Sequence, residues 1–197
     1  MGKRDHFWAI LLLPIPPTLF APLIIILVTK ESIPLWFQLL PLSVLVIAAG
    51  GLAIGIGSVL LYKSIQLFST IGHGTLAPWN PPKRLVVDGM YRHVRNPMIL
   101  GVLIIILGEA ILLGSIFIFL WFVIFAVGNH LYFIKREEPE LVVRFGEEYL
   151  LYKRNVPRWI PRLKLWTGNE ENRTEGENIN KEDVKSERQS VFTLLMF

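Results

Sequence analysis

The chain has 197 residues, is 52% hydrophobic and has a mean hydropathy of +0.47, which excludes an ordinary soluble domain of this size. Its formal net charge of +4 is accounted for by membrane topology and anionic headgroups, so no nucleic-acid partner is called for. It has no cysteine, which removes disulfides, zinc–thiolate sites and cysteine nucleophiles and fits a reducing compartment.

A bilayer-spanning helix needs roughly 20 apolar residues. Four runs qualify: Phe7 to Val28, Ile33 to Tyr62, Pro97 to Leu113, and Ser115 to Ile134. The last two are joined by a tight Gly114-Ser115 turn. Lys3 and Arg4 precede the first run, which is nevertheless too long for a secretory signal and lacks a small-residue cleavage site. Pro14, Pro16, Pro17 and Pro22 predict a kinked first span whose freed carbonyls are satisfied by neighbouring helices. In the second span, Gly51 and Gly55 form a small-x₃-small pair, expected to pack against another helix of the same chain. Basic residues set the orientation. They precede the first span, lie between the second and third (Lys63, Lys83, Arg84, Arg92, Arg95), and follow the fourth (Lys135 to Arg162), whereas the opposite side has only Lys30. Both termini and the active site are therefore expected to be cytoplasmic.

The segment from Gly72 to Gly101 is richer than a connecting loop requires. Gly72-x-Gly74 lacks the third glycine and the preceding strand of a dinucleotide fingerprint. Asn80-Pro81-Pro82 is expected to be extended, and Asp88-Gly89 reads as a turn. Tyr91, Arg95 and Pro97 close the loop, with Pro97 suited to the first turn of the third span.

Two ionisable groups lie inside the later spans, and such groups are functional candidates by default. Glu109 is about 18 Å along the helix from Pro97, where we expect a protonated, hydrogen-bonded carboxyl. His130 lies near the cytoplasmic end of the fourth span and is the better site candidate; the two differ in depth by roughly 15 Å. Beyond that span, Glu137-Glu138 precedes Pro139, which is expected to break or kink the helix. A cytoplasmic C-terminal amphipathic helix then carries Leu141, Phe145, Tyr149 and Tyr152 on one apolar stripe. From Thr167 to Ser190 the composition reads as a disordered tail. The fold expected is an all-α integral membrane protein with about four transmembrane helices, that C-terminal helix and a catalytic loop. Residues 1–66 form a two-helix membrane region, 67–166 the catalytic region and 167–197 the tail.

Gly89-x-Tyr91-x₃-Arg95-x-Pro97, followed by Glu137-Glu138, Phe145-Gly146-x-Glu148-Tyr149 and Val156-Pro157, resembles the isoprenylcysteine carboxyl methyltransferase family, whose relatives include phospholipid N-methyltransferases. The resemblance covers Thr75 to about Pro161. It implies an S-adenosylmethionine-dependent methyltransferase acting on a lipophilic or prenylated acceptor in the bilayer. It places Lys83, Arg84, Leu85, Val86, Tyr91, Asn96, Pro97, Met98, Ile99 and Glu137 at the cofactor. Arg95, His130 and Glu138 are the catalytic candidates, and no metal is implied. Asn96 stands where the family usually has histidine, and Ile99 where it usually has tyrosine, so Arg95 or Arg84 is expected to meet the cofactor carboxylate. Phe133 stands where the prenylcysteine enzymes carry an arginine near the substrate carboxylate. An NADPH-dependent membrane reductase and a non-catalytic membrane scaffold are the alternatives of other classes.

Overall fold

The structure, a computed structural model, describes residues 14–30, 42–71 and 85–167. The starts of the first two spans, most of the proline-rich loop with Lys83 and Arg84, and the C-terminal tail lie outside the described residues. Among the described residues the chain is all-helical, without strands. It divides into two compact units: Met1–Val86 with Asn96–Gly128, and Val87–Arg95 with Asn129–Phe197.

The first unit contains a π turn, Pro16–Phe20, leading into α1 (Ala21–Thr29), then α2 (Leu42–Ile71), α3 (Pro97–Leu113) and the greater part of α4 (Ile116–Tyr132). Ser43–Leu67 and Ile116–Phe145 are long and apolar enough to cross a membrane, while Pro16–Thr29 and Pro97–Leu113 are apolar but shorter. Leu45, Leu52, Val59 and Ile124 are each more than half exposed along these helices. Such rows of bare aliphatic side chains suit lipid as the surrounding solvent.

Local chemistry explains the helix ends. Asn96 Oδ1 accepts the Ile99 N–H at 3.2 Å, and Pro97 occupies the first turn of α3, where its missing donor costs nothing. Gly114 ends α3 at φ 62°, and Ser115 Oγ accepts the Ile118 N–H at 3.1 Å to start α4. The expected tight turn is therefore present. In the π turn, the Ala21 N–H bonds the Pro16 carbonyl. The Pro17 carbonyl would next look to residue 22, a proline without a donor, and Trp121 Nε1–H takes it instead at 3.0 Å. A neighbouring helix does satisfy the freed carbonyl.

Helices α2 and α3 touch backbone to backbone. A methyl at Gly57 would sit 2.7 Å from the Gly101 carbonyl oxygen, and one at Gly108 would sit 2.9 Å from that of Gly50. The pairs Gly50/Gly108 and Gly57/Gly101 repeat at two levels of an antiparallel crossing. The expectation for Gly51 and Gly55 is thus corrected: both face open space. A seven-residue repeat returns a glycine to one helix face after two turns, and here the contact follows that repeat. Val102, Ile106, Ala110 and Ile118 form the core of this unit, packed by Ile25, Ile26, Leu61, Trp121, Phe122 and Phe125.

The second unit contains a 3₁₀ turn (Gly89–Arg92), a π turn (Phe133–Glu137), α5 (Glu138–Phe145), α6 (Glu147–Asn155) and the segment that follows. Pro139 does not break the chain's helix. The Glu138 N–H reaches back to the Phe133 carbonyl, and this wider turn accommodates the proline ring that would otherwise press on the carbonyl four residues before it. The helix therefore continues past Ile134 as far as Phe145. It stops because Gly146 adopts φ 58°, so the single amphipathic helix expected here is two short ones. Val142, Tyr149, Leu150 and Tyr152 are buried, whereas Leu141 and Phe145 are only half-buried, because the break changes the phase of the stripe.

Candidate active site

The second unit is built around one carboxylate. Glu138 opens α5 with its side chain only 9% exposed. Its Oε1 accepts from Arg95 Nη1 at 2.6 Å, from Arg158 Nε at 2.8 Å and from Arg158 Nη2. Lys153 Nζ stands 3.8 Å from Oε2. Two guanidinium groups and an ammonium thus converge on a single buried negative charge. Arg95 Nε–H is buried with no hydrogen-bond partner among the described residues, and an unmet donor of this kind costs about 1–3 kcal/mol unless a ligand meets it.

The chain brings these groups together by backbone and side-chain hydrogen bonds between the 3₁₀ turn region and α6 with the segment after it. The Arg95 N–H donates to the Pro157 carbonyl at 2.9 Å, fixing the 3₁₀ turn beside the segment after α6. The Tyr152 hydroxyl donates to the Tyr91 carbonyl at 2.7 Å. Burial raises the Tyr91 hydroxyl well above its ordinary range, helped by the Glu137 charge. Tyr149 is raised mainly by burial and then by Glu138, with Arg95 opposing, and Tyr152 by burial and then by its two tyrosine neighbours. All three are neutral, buried phenols at physiological pH.

His130 joins the same cluster. Its Nδ1 accepts from Trp159 Nε1 at 3.0 Å and faces Arg158 Nη1 at 3.2 Å. Tryptophan and arginine nitrogens only donate, so Nδ1 carries no proton and the neutral ring presents its N–H at Nε2. Phe133 lies edge-on to Trp159, ring centres 5.8 Å apart.

Arg95, His130 and Glu138 are therefore connected through one residue absent from the candidate set, Arg158. Trp159 and Lys153 were missed with it. The signal was Arg158's place directly after Val156-Pro157 in the C-terminal block, but a lone arginine beside proline reads as solvated. Tyr91 is buried, and Glu137 acts on it electrostatically. Leu85, Val86, Asn96, Pro97, Met98 and Ile99 belong to the first unit. There the Asn96 oxygen is engaged as a helix cap. Glu109 also lies in that unit, and the hydrogen bond expected of it is not complete: Oε2 is buried without a partner among the described residues.

Residues 45–148 match the profile of the phospholipid methyltransferase family. The chain belongs to this family. Over 100 residues it is 34% identical to the protein-S-isoprenylcysteine O-methyltransferase of Schizosaccharomyces pombe, an alignment covering 49% of this chain and 41% of the yeast protein. The chain thus spans about two-fifths of the length of that relative. It is 38% identical over 63 residues to an uncharacterised protein of Haemophilus influenzae, covering 32% of this chain and all of that one. No solved structure matches it significantly.

Proposed function

We propose that the chain is an S-adenosylmethionine-dependent methyltransferase acting on a lipophilic acceptor at the cytoplasmic membrane face, of the isoprenylcysteine carboxyl O-methyltransferase type. Family membership and the name of the yeast relative support this reading. The observation that carries it is the buried Glu138 carboxylate held by Arg95 and Arg158, with the Arg95 Nε–H left unmet. That donor set suits carboxylates, of which the cofactor supplies one and the acceptor the other.

When bound, S-adenosylmethionine supplies a sulfonium methyl that an ionised carboxylate oxygen takes in one displacement, the C–S electron pair staying on sulfur and no proton moving. Such a step needs alignment and exclusion of water more than a base. We assign Arg95 to the cofactor carboxylate. Glu137 and Tyr91 are assigned to the rest of the cofactor, while Lys83, Arg84, Leu85, Val86 and the Asn96–Ile99 stretch follow from the resemblance alone. Arg158, with the Nε2–H of His130, is assigned to the acceptor carboxylate. It offers the guanidinium that Phe133 does not. Glu138 is the counter-charge that aims both arginines. The four-span topology, with both termini cytoplasmic, the two-helix region 1–66 and the catalytic region 67–166, belongs to the same proposal.

The test is incubation of the reconstituted protein with methyl-labelled S-adenosylmethionine and either a prenylated cysteine or phosphatidylethanolamine. Label released as methanol by mild alkali from the prenylcysteine supports the proposal, because only an ester is hydrolysed. Alkali-stable label in the phospholipid would replace it with the N-methyltransferase alternative. Oxidation of NADPH without methylation would replace it with the reductase.

A further inference from the structure

The segment after α6 is pinned at three points to the 3₁₀ turn and the residues after it. The Pro157 carbonyl accepts from the Arg95 N–H at 2.9 Å. The Arg162 N–H donates to the His93 carbonyl at 3.0 Å, and the Trp166 N–H donates to the Arg92 carbonyl at 3.3 Å. Trp159 lies between the first two of these pins, so its backbone is fixed on both sides. Its indole is set by neighbouring rings. Phe133, only 6% exposed, meets it edge-on with ring centres 5.8 Å apart, and the His130 imidazole stands 6.4 Å away at an interplanar angle of 40°. From that position the Trp159 Nε1–H donates to His130 Nδ1 at 3.0 Å.

Two donors therefore meet one imidazole nitrogen, the second being Arg158 Nη1 at 3.2 Å. One would suffice to fix the tautomer, since a ring nitrogen that accepts carries no proton. The two donors differ in what else they can do. An indole has a single N–H, and here it is committed to the ring. Arg158 keeps Nε and Nη2 on Glu138 and has only Nη1 on His130. When Nη1 turns to an acceptor carboxylate, Trp159 still holds Nδ1, and the Nε2–H remains a donor beside the guanidinium. Without the indole N–H, the ring and the acceptor would compete for Nη1. The arrangement also defines what the ring does. With Nδ1 facing donors and Nε2 protonated, neither nitrogen is placed to take a proton, so His130 binds an anion and does not deprotonate an amine.

We infer that Trp159 is a positioning residue, which holds His130 as a donor-only ring and releases Arg158 Nη1 to the acceptor carboxylate. The inference rests on the methyl-transfer reading for its acceptor, and on geometry alone for the pairing of Trp159 with His130. Two replacements in the full chain in nanodiscs remove the donor: Trp159→Phe, and benzothienylalanine at position 159, which puts sulfur in place of the N–H at nearly the same shape. With a prenylated cysteine as acceptor, each is expected to lower kcat/KM about fivefold, as loss of one hydrogen bond would, while cofactor affinity holds. In a His130→Ala background the same replacements should lower it no further, because Trp159 acts through that ring. An equal loss in both backgrounds would make Trp159 merely structural and overturn the inference. The pairing has a readout that needs no turnover. In the isotopically labelled native chain, a scalar coupling across the N–H···N hydrogen bond is expected between Trp159 Nε1 and His130 Nδ1, and its absence would also overturn the inference. A native chain that shows the coupling yet methylates no prenylated cysteine would sink the methyl-transfer reading and the acceptor half of this inference with it, the pairing standing.

Discussion

Glu138 tests how far a single carboxylate organises the second unit. Removing one partner of a buried ion pair leaves the other uncompensated, at a cost of about 3–5 kcal/mol. Glu138→Gln should therefore lower thermal stability sharply, because Arg95 and Arg158, only 13% and 14% exposed, lose their counter-charge. Glu148→Gln, at an exposed position, should change the melting temperature little. Equal melting temperatures for the two variants would mean that the hub contributes no stability. His130 offers a finer test, since among the described residues its hydrogen bonds are made at Nδ1. Asparagine keeps an acceptor near Nδ1 but offers no donor at the Nε2 position, so His130→Asn, like His130→Ala, should lower turnover far more than cofactor affinity. Single-turnover methylation paired with equilibrium cofactor binding distinguishes the two; a parallel fall in both would assign His130 to the cofactor. The buried tyrosines predict an alkaline limit. Tyr91, Tyr149 and Tyr152 have their ionisation raised by burial, so the unfolded chain releases their protons first. Their contribution is complete below about pH 10 and is lost as pH rises beyond it. Melting curves between pH 8 and 11 should show a plateau and then a steep fall, shallower for Tyr149→Phe. At this scale Arg95, His130 and Glu138 were legible because motif and position single them out. Arg158 was not, because its partners lie 20 and 28 residues away in sequence and nothing beside it marks the pairing.

At the scale of elements, the two π turns share one design. Pro22 follows Pro16–Phe20, and Pro139 follows Phe133–Glu137, each by two residues. Composition pointed to prolines as breakers. The structure keeps the helix and widens one turn, since a π turn holds one residue more than an α turn and relieves the clash. Deleting Ile134 removes that extra residue while preserving the phase of both flanks, but it returns the proline ring against a carbonyl. The single deletion should therefore cost roughly 3 kcal/mol, and adding Pro139→Ala should recover most stability and activity. If the double variant is no better than the single one, the turn has another cause. The glycine contact teaches a related lesson. Small residues at the crossing were legible, yet the register was not, because Gly50, Gly51, Gly55 and Gly57 look equivalent until a partner helix selects a face. Gly57→Ala should destabilise the α2–α3 pair by about 1–3 kcal/mol, while Gly55→Ala, facing open space, should not. Thermal melts of the two variants in one detergent decide it.

For the whole molecule, the question is which ends face which side. The helix running from Ile116 to Phe145 has 30 residues, or about 45 Å at 1.5 Å per residue. The hydrocarbon core is about 30 Å thick, so one end must protrude. The charges point to one end: Lys135, Arg136, Glu137 and Glu138 cluster toward the C-terminal end, while the stretch from Ile116 to Gly128 carries none. Hydropathy carries this expectation, because crossing a bilayer constrains composition residue by residue. The pinned segment after α6 was not legible, because its pins are backbone hydrogen bonds that leave no side-chain signature. With the cationic end on the cytoplasmic side, Ile116 and the Gly114 turn should be reachable only from outside and Glu147 only from the cytoplasm. Ile116→Cys and Glu147→Cys, each in the otherwise cysteine-free chain, should label with an impermeant maleimide in oppositely oriented vesicles. Labelling of both from the same face would mean that α4 does not cross, and the cytoplasmic placement of the Glu138 cluster would go with it.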